Sequence, residues 1–131
     1  MDLKFHHIGI AVFNIKKTAS YYTKLGYTIN HTIFDPLQQV NICFLEREGE
    51  PLLELIEPVN DKSPIAEILK KNGVSPYHFC YSIKNIEDSI ADLKAEHFLL
   101  INKPVNAVAL GNRKVCFLYN KDMGLIELVE E

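Results

Sequence analysis

The stretch Phe5-His6-His7-Ile8-Gly9-Ile10-Ala11-Val12 decides the fold. It alternates as a strand does, with residues two apart sharing a face. His7 then lies with the small residues Gly9 and Ala11, while Ile8, Ile10 and Val12 point the other way and need burial. One face is built for packing, and the other holds an imidazole beside open space.

The same strand occurs twice. Laying HHIGIAVFNI over YHFCYSIKNI superposes His7 on His78, Val12 on Ile83, Asn14 on Asn85 and Ile15 on Ile86, at a shift of 71 residues. Cys43-Phe44-Leu45 returns as Cys116-Phe117-Leu118, and Leu53 to Glu57 returns as Ile126 to Glu130, now at a shift of 73. A loop two residues longer in the second copy absorbs the difference. The pattern predicts two βαβββ modules in a single α+β domain, residues 1–58 and 76–131. A linker with a short helix, residues 59–75, joins them.

Within each copy the punctuation is legible. Asn14 and Asn85 stand where helix N-caps belong, ahead of helices over residues 15–25 and 86–96, and Gly26 stops the first. Strands are expected over residues 27–34, 39–46 and 52–57, and again over 77–83, 98–102, 114–119 and 125–130. In the linker, Ser63-Pro64 followed by Ile65, Ile68 and Leu69 reads as a cap, a proline at the first helical position and an amphipathic turn. Residues 104–111, PVNAVALG, carry no periodicity and read as a long loop, either a lid or an irregular connection.

Composition excludes several classes of function. A chain of 131 residues, 47% hydrophobic and 24% charged, suits one soluble globular domain. A formal charge of −3 leaves no electrostatic footprint for nucleic acid. No apolar run reaches the roughly 18 residues a membrane span needs, and the first residues lack the apolar core of a signal peptide. The expected location is the cytoplasm. Cys43, Cys80 and Cys116 sit inside strands without C-x-x-C spacing and read as buried thiols.

Alternation directs Glu54 away from Leu53 and Leu55, and Glu127 away from Ile126 and Leu128. Two imidazoles and two carboxylates therefore occupy repeat-related positions on like faces. If the modules pack about a pseudo-two-fold axis, the four converge. Buried carboxylates left to themselves repel one another, whereas a divalent cation neutralises both and takes neutral imidazoles as further ligands. His7, Glu54, His78 and Glu127 are thus the expected metal ligands. Their donor set suits one six-coordinate ion such as Ni²⁺, Co²⁺ or Mn²⁺, and Zn²⁺ also accepts it. Open coordination positions point to Lewis-acid catalysis.

Together HHIGIAV, NIKKTASYYTKLGY, LLELIEP, DKSPIAEILKKNG, PYHFCYSIKNIEDSIADLK and GLIELVEE resemble the vicinal oxygen chelate superfamily, in its glyoxalase I and methylmalonyl-CoA epimerase branch. The resemblance runs from Phe5 to the end of the chain. It implies the glyoxalase/bleomycin resistance/dioxygenase-like fold, with paired βαβββ modules forming a cupped mixed sheet. It puts the metal ligands of that family on His7, Glu54, His78 and Glu127. It further implies Glu127 as the catalytic base, with Glu54 as its partner.

Within the branch, the epimerases carry a glutamate just before the third strand, where this chain has Leu37; Asp35 is near but not equivalent. That departure favours a glyoxalase I-type lyase, isomerising a hemithioacetal or related α-hydroxycarbonyl through an enediolate. The alternative is an acyl-thioester epimerase of the methylmalonyl-CoA type. A second alternative is a small-molecule-binding module without chemistry. Arg113, Lys103 and Asn41 are the expected substrate contacts, since an arginine fork suits a carboxylate or phosphate. A homodimer is the expected assembly.

Overall fold

The computed structural model describes residues 1–131. Its architecture is mixed α+β, with ten strands in a mixed sheet and three α-helices. The chain divides into two compact units, one of residues 7–77 and one of residues 1–6 with 78–131.

In the first unit, β1 (Lys4–Ala11) runs parallel to β5 (Leu52–Pro58), and β5 is antiparallel to β4 (Val40–Glu46). Two short strands, β2 (Thr28–Ile29) and β3 (Ile33–Asp35), both pair with β4. The single strand expected over residues 27–34 is therefore broken at Asn30–Thr32. Helix α1 (Ile15–Lys24) is capped by the Asn14 side chain, which accepts from the Lys17 amide at 2.9 Å. A second acceptor, the Glu57 carboxylate, takes the Ile15 amide at 3.2 Å and ties the helix start to β5. Ile15 and Ala19 of α1 bury against Ile10, Val12, Cys43, Leu45, Leu53 and Leu55, which fixes the packing face of these strands. Helix α2 (Pro64–Asn72) starts at a Ser63 cap and buries Ile65, Ala66 and Leu69.

The second unit repeats the scheme. Strand β6 (Ser75–Ile83) runs parallel to β10 (Gly124–Glu130), which is antiparallel to β9 (Arg113–Asn120). Strands β7 (Leu99–Leu100) and β8 (Val105–Ala107) both pair with β9. Helix α3 (Ile86–Ala95) is capped by Asn85, and the Glu130 carboxylate accepts the Ile86 amide at 2.9 Å. Ile86, Ile90 and Leu93 bury against Cys116, Leu118, Ile126 and Leu128. Residues 104–111 are not a plain loop: they supply β8 and a 3₁₀ turn over Val108–Leu110, closed by Gly111 at φ 67°. Gly111 and Asn112 both adopt left-handed φ there, a conformation that favours glycine and asparagine. No helix is long and apolar enough to cross a membrane.

Candidate functional site

Each unit builds a His–Glu pair by the same register. In the first, Gly9 stands opposite Glu54 across the β1/β5 pair, so the carboxylate extends over a residue with no side chain toward His7. Nε2 of His7 lies 3.3 Å from Oε1 of Glu54. Phe44 stands opposite Glu54 on β4, and its ring meets the His7 imidazole edge-on at 5.5 Å. In the second unit, Cys80 takes the place of Gly9 opposite Glu127, and Phe117 takes the place of Phe44. Nε2 of His78 lies 3.3 Å from Oε1 of Glu127, and the Phe117 ring meets His78 edge-on at 5.2 Å. All four polar residues are at most 4% exposed.

The phenylalanines complete each pair, and the sequence reading noted their Cys-Phe-Leu repeat without giving them a role. Each places an aromatic wall beside an imidazole, which excludes water and fixes the ring. Glu57 and Glu130 also recur, and the structure spends both on helix starts.

The donor chemistry fits a divalent cation. Ligand bonds of about 2.0–2.2 Å place neighbouring donors on one ion roughly 3 Å apart, close to the 3.3 Å in each pair. Neutral imidazole and carboxylate are ligands that Zn²⁺ and the harder divalent ions share.

The expected substrate contacts are distributed differently. Arg113 lies on the same face of β9 as Phe117, because Cys116 and Leu118 between and beyond them pack toward α3. Lys103 is exposed on the connection between β7 and β8. Asn41 stands opposite Glu57 on β5 and donates to its carboxylate at 3.2 Å, on the α1 side and away from the face of Glu54. Asp35 is buried, and its carboxylate accepts from the Leu37 amide, the Gln38 amide and the Gln38 side chain at 2.9, 3.2 and 3.1 Å. It is consumed by its own turn, and Leu37 beside it is exposed.

The three cysteines are buried and form no disulfide. Burial, then the nearby charges of Glu127 and Glu87, push the Cys116 thiol up to about 12; burial also raises Cys43. A thiol raised above its ordinary 9.0 favours the folded state fully at pH below about 9, and that contribution is lost as pH climbs toward 12. Cys116 is therefore expected to resist iodoacetamide in the native protein at pH 8.5 and to react only after unfolding. Mass spectrometry of native and denatured samples reads this directly, and rapid native labelling at Cys116 would contradict it.

The human mitochondrial methylmalonyl-CoA epimerase is 33% identical over 129 residues, covering 95% of this chain and 72% of that protein. A hypothetical protein, BH1468 from Bacillus halodurans, superposes with a TM-score of 0.89 at 34% identity, covering 100% of this chain and 96% of that one. A variant of the Streptomyces coelicolor methylmalonyl-CoA epimerase, in complex with 2-nitronate-propionyl-CoA, superposes with a TM-score of 0.85 at 25% identity, covering 99% and 96%. These relatives overturn the expectation of a glyoxalase I-type lyase. That expectation gave one position, Leu37, more weight than the likeness of the whole chain. Residues 6–117 match the Glyoxalase/Bleomycin resistance protein/Dioxygenase superfamily, and with a relative this similar along nearly its whole length the chain belongs to that superfamily.

Proposed function

We propose that the protein is an acyl-thioester epimerase of the methylmalonyl-CoA type, an isomerase that inverts a carbon next to a thioester carbonyl. The observation that carries this reading is the duplicated His–Glu pair within a chain whose relatives include methylmalonyl-CoA epimerases. Inversion needs a proton taken from one face of the carbon and returned on the other. A duplicated carboxylate is a natural source of two such groups.

In this reading His7, Glu54, His78 and Glu127 hold one divalent ion, a reading supported by the like donor set of the two His–Glu pairs. The ion supplies Lewis-acid stabilisation of charge on the acyl oxygens. Glu127 accepts the α-proton on a carboxylate oxygen, and Glu54 serves the opposite face. Asp35 is tied into its turn and Leu37 has no acidic group, so neither offers a base. Phe44 and Phe117 stand edge-on to the His7 and His78 imidazoles and fix the orientation of their rings.

The test starts from one epimer of methylmalonyl-CoA and follows its optical activity. The expected result is decay to a mixture of both epimers, reached from either starting epimer. Turnover of a methylglyoxal–thiol adduct with no change in the acyl-CoA would overturn the proposal.

A further inference from the structure

The two copies differ at the outer wall of their sheets. In the second unit Tyr119 stands opposite Leu99 on β7 and opposite Leu125 on β10. The Ile101 amide donates to the Phe117 carbonyl at 2.8 Å, so Ile101 lies beside Phe117. Cys116 and Leu118 pack toward α3 with Ile126 and Leu128. Strand alternation therefore turns Leu99, Ile101, Phe117, Tyr119 and Leu125 to the face that carries Glu127. Leu99 is 66% exposed, Ile101 58% and Tyr119 42%.

The first unit shows what the same positions hold on a wall that meets only water. Thr28 stands opposite Glu46 on β4, and the Asn30 amide donates to the Phe44 carbonyl at 3.0 Å. Thr28, Asn30 and Glu46 are thus the counterparts of Leu99, Ile101 and Tyr119, and all three are polar and exposed. Outer strands usually carry polar or charged side chains, because bare apolar ones invite association. A single exposed apolar residue needs no explanation, whereas three neighbours that continue into Phe117 form a patch.

The size and place of the patch identify its occupant. A stable interface with another protein takes roughly 20–30 residues a side, and three exposed side chains fall far short of that. The patch is continuous with the candidate site, since Phe117 stands opposite Glu127 and meets the His78 ring. Neighbouring strands lie about 4.8 Å apart, so the wall runs about 10 Å outward from β10 to β7, the reach of an alkyl chain and far more than a methyl branch needs. Leu99, Ile101 and Tyr119 offer one polar atom among their side chains, the Tyr119 hydroxyl. A thioester carrier arm, which contains amides, would leave groups without hydrogen-bond partners there, whereas a hydrocarbon chain loses nothing.

We propose that Leu99, Ile101 and Tyr119 form a subsite for an apolar chain on the acyl part of the thioester, so that the preferred substrates bear a branch longer than ethyl. The proposal rests on the acyl-thioester reading above.

The experiment measures binding by calorimetry and α-proton exchange for methylmalonyl-, butylmalonyl- and hexylmalonyl-CoA. It compares the parent protein with a variant given the first unit's residues, Leu99→Thr, Ile101→Asn and Tyr119→Glu. A methylene buried on all sides gains about fourfold in affinity, and one resting on an open wall about twofold. Hexylmalonyl-CoA is therefore expected to bind the parent about 30-fold more tightly than methylmalonyl-CoA, and the variant less than about threefold more tightly. If the triple variant does not fold by circular dichroism, Leu99→Thr alone serves and is expected to remove about threefold of the gain. Equal weakening of all three substrates in the variant would put the carrier arm on the wall and overturn the proposal. So would a parent protein with no gain in affinity along the series. A parent that sediments as a dimer and a variant that sediments as a monomer would make the wall an interface between copies, which also overturns it. A gain with chain length that the variant removes, in a parent protein that exchanges no α-proton, would keep the subsite and sink the epimerase reading.

Discussion

Glu127→Gln is expected to lower α-proton exchange by about 10³-fold at saturating metal, in the range that a positioned general base contributes. The amide keeps the shape of the carboxylate and can still donate and accept hydrogen bonds, but it cannot take a proton. Glu127 is held by strand pairing on both sides, with Cys80 on one and Phe117 on the other, so the backbone has no reason to move. The sharper form of this prediction compares the two glutamates. If each serves one face of the carbon, Glu127→Gln blocks exchange from one epimer and Glu54→Gln blocks it from the other. Both variants lose inversion. Proton NMR of each epimer with each variant reads the matrix, and equal loss on both epimers from Glu127→Gln alone would assign all the proton transfer to that residue.

His78→Ala, or removal of the ion by a chelator, is expected to abolish activity. Loss of an outer partner of a metal ligand already costs about 10–100-fold in affinity, so loss of a ligand itself costs no less. A ligand that binds only the folded state raises stability, and the added stability grows with its concentration. The parent protein stripped of metal should therefore melt at a lower temperature and recover on addition of Co²⁺, Ni²⁺, Mn²⁺ or Zn²⁺, whereas His78→Ala should show a much smaller recovery at the same ion concentration. An unaltered melting temperature with every ion would contradict a metal centre at these residues.

Much of this was legible because duplication doubles each signal. His7 and His78, Glu54 and Glu127, and the caps Asn14 and Asn85 each recur at the same place, and strand alternation gives their faces without further information. The failures came where alternation has no anchor. Asn41 is flanked by Val40 and Ile42, both buried, so its parity alone did not say which face of the sheet it joined; its bond to Glu57 settles that. Residues 27–34 read as one strand because the polar break at Asn30–Thr32 is weak in pattern, and the two short pieces are separated only by how they meet β4. In the stretch 104–111 a three-residue strand is too short to show a period, and β9 supplies its pairing. The preference for lyase chemistry rested on the missing acid at Leu37. The tertiary structure adds that the Asp35 carboxylate accepts three hydrogen bonds within its own turn.

The most direct measurement is proton NMR of one methylmalonyl-CoA epimer in deuterated water, run with the stripped protein and again after one equivalent of Co²⁺ is restored. The account predicts that the α-proton signal persists with the stripped protein, then disappears once the ion is present while the other epimer grows in carrying deuterium. Rapid exchange by the stripped protein, or persistence of the signal with the ion bound, would contradict it.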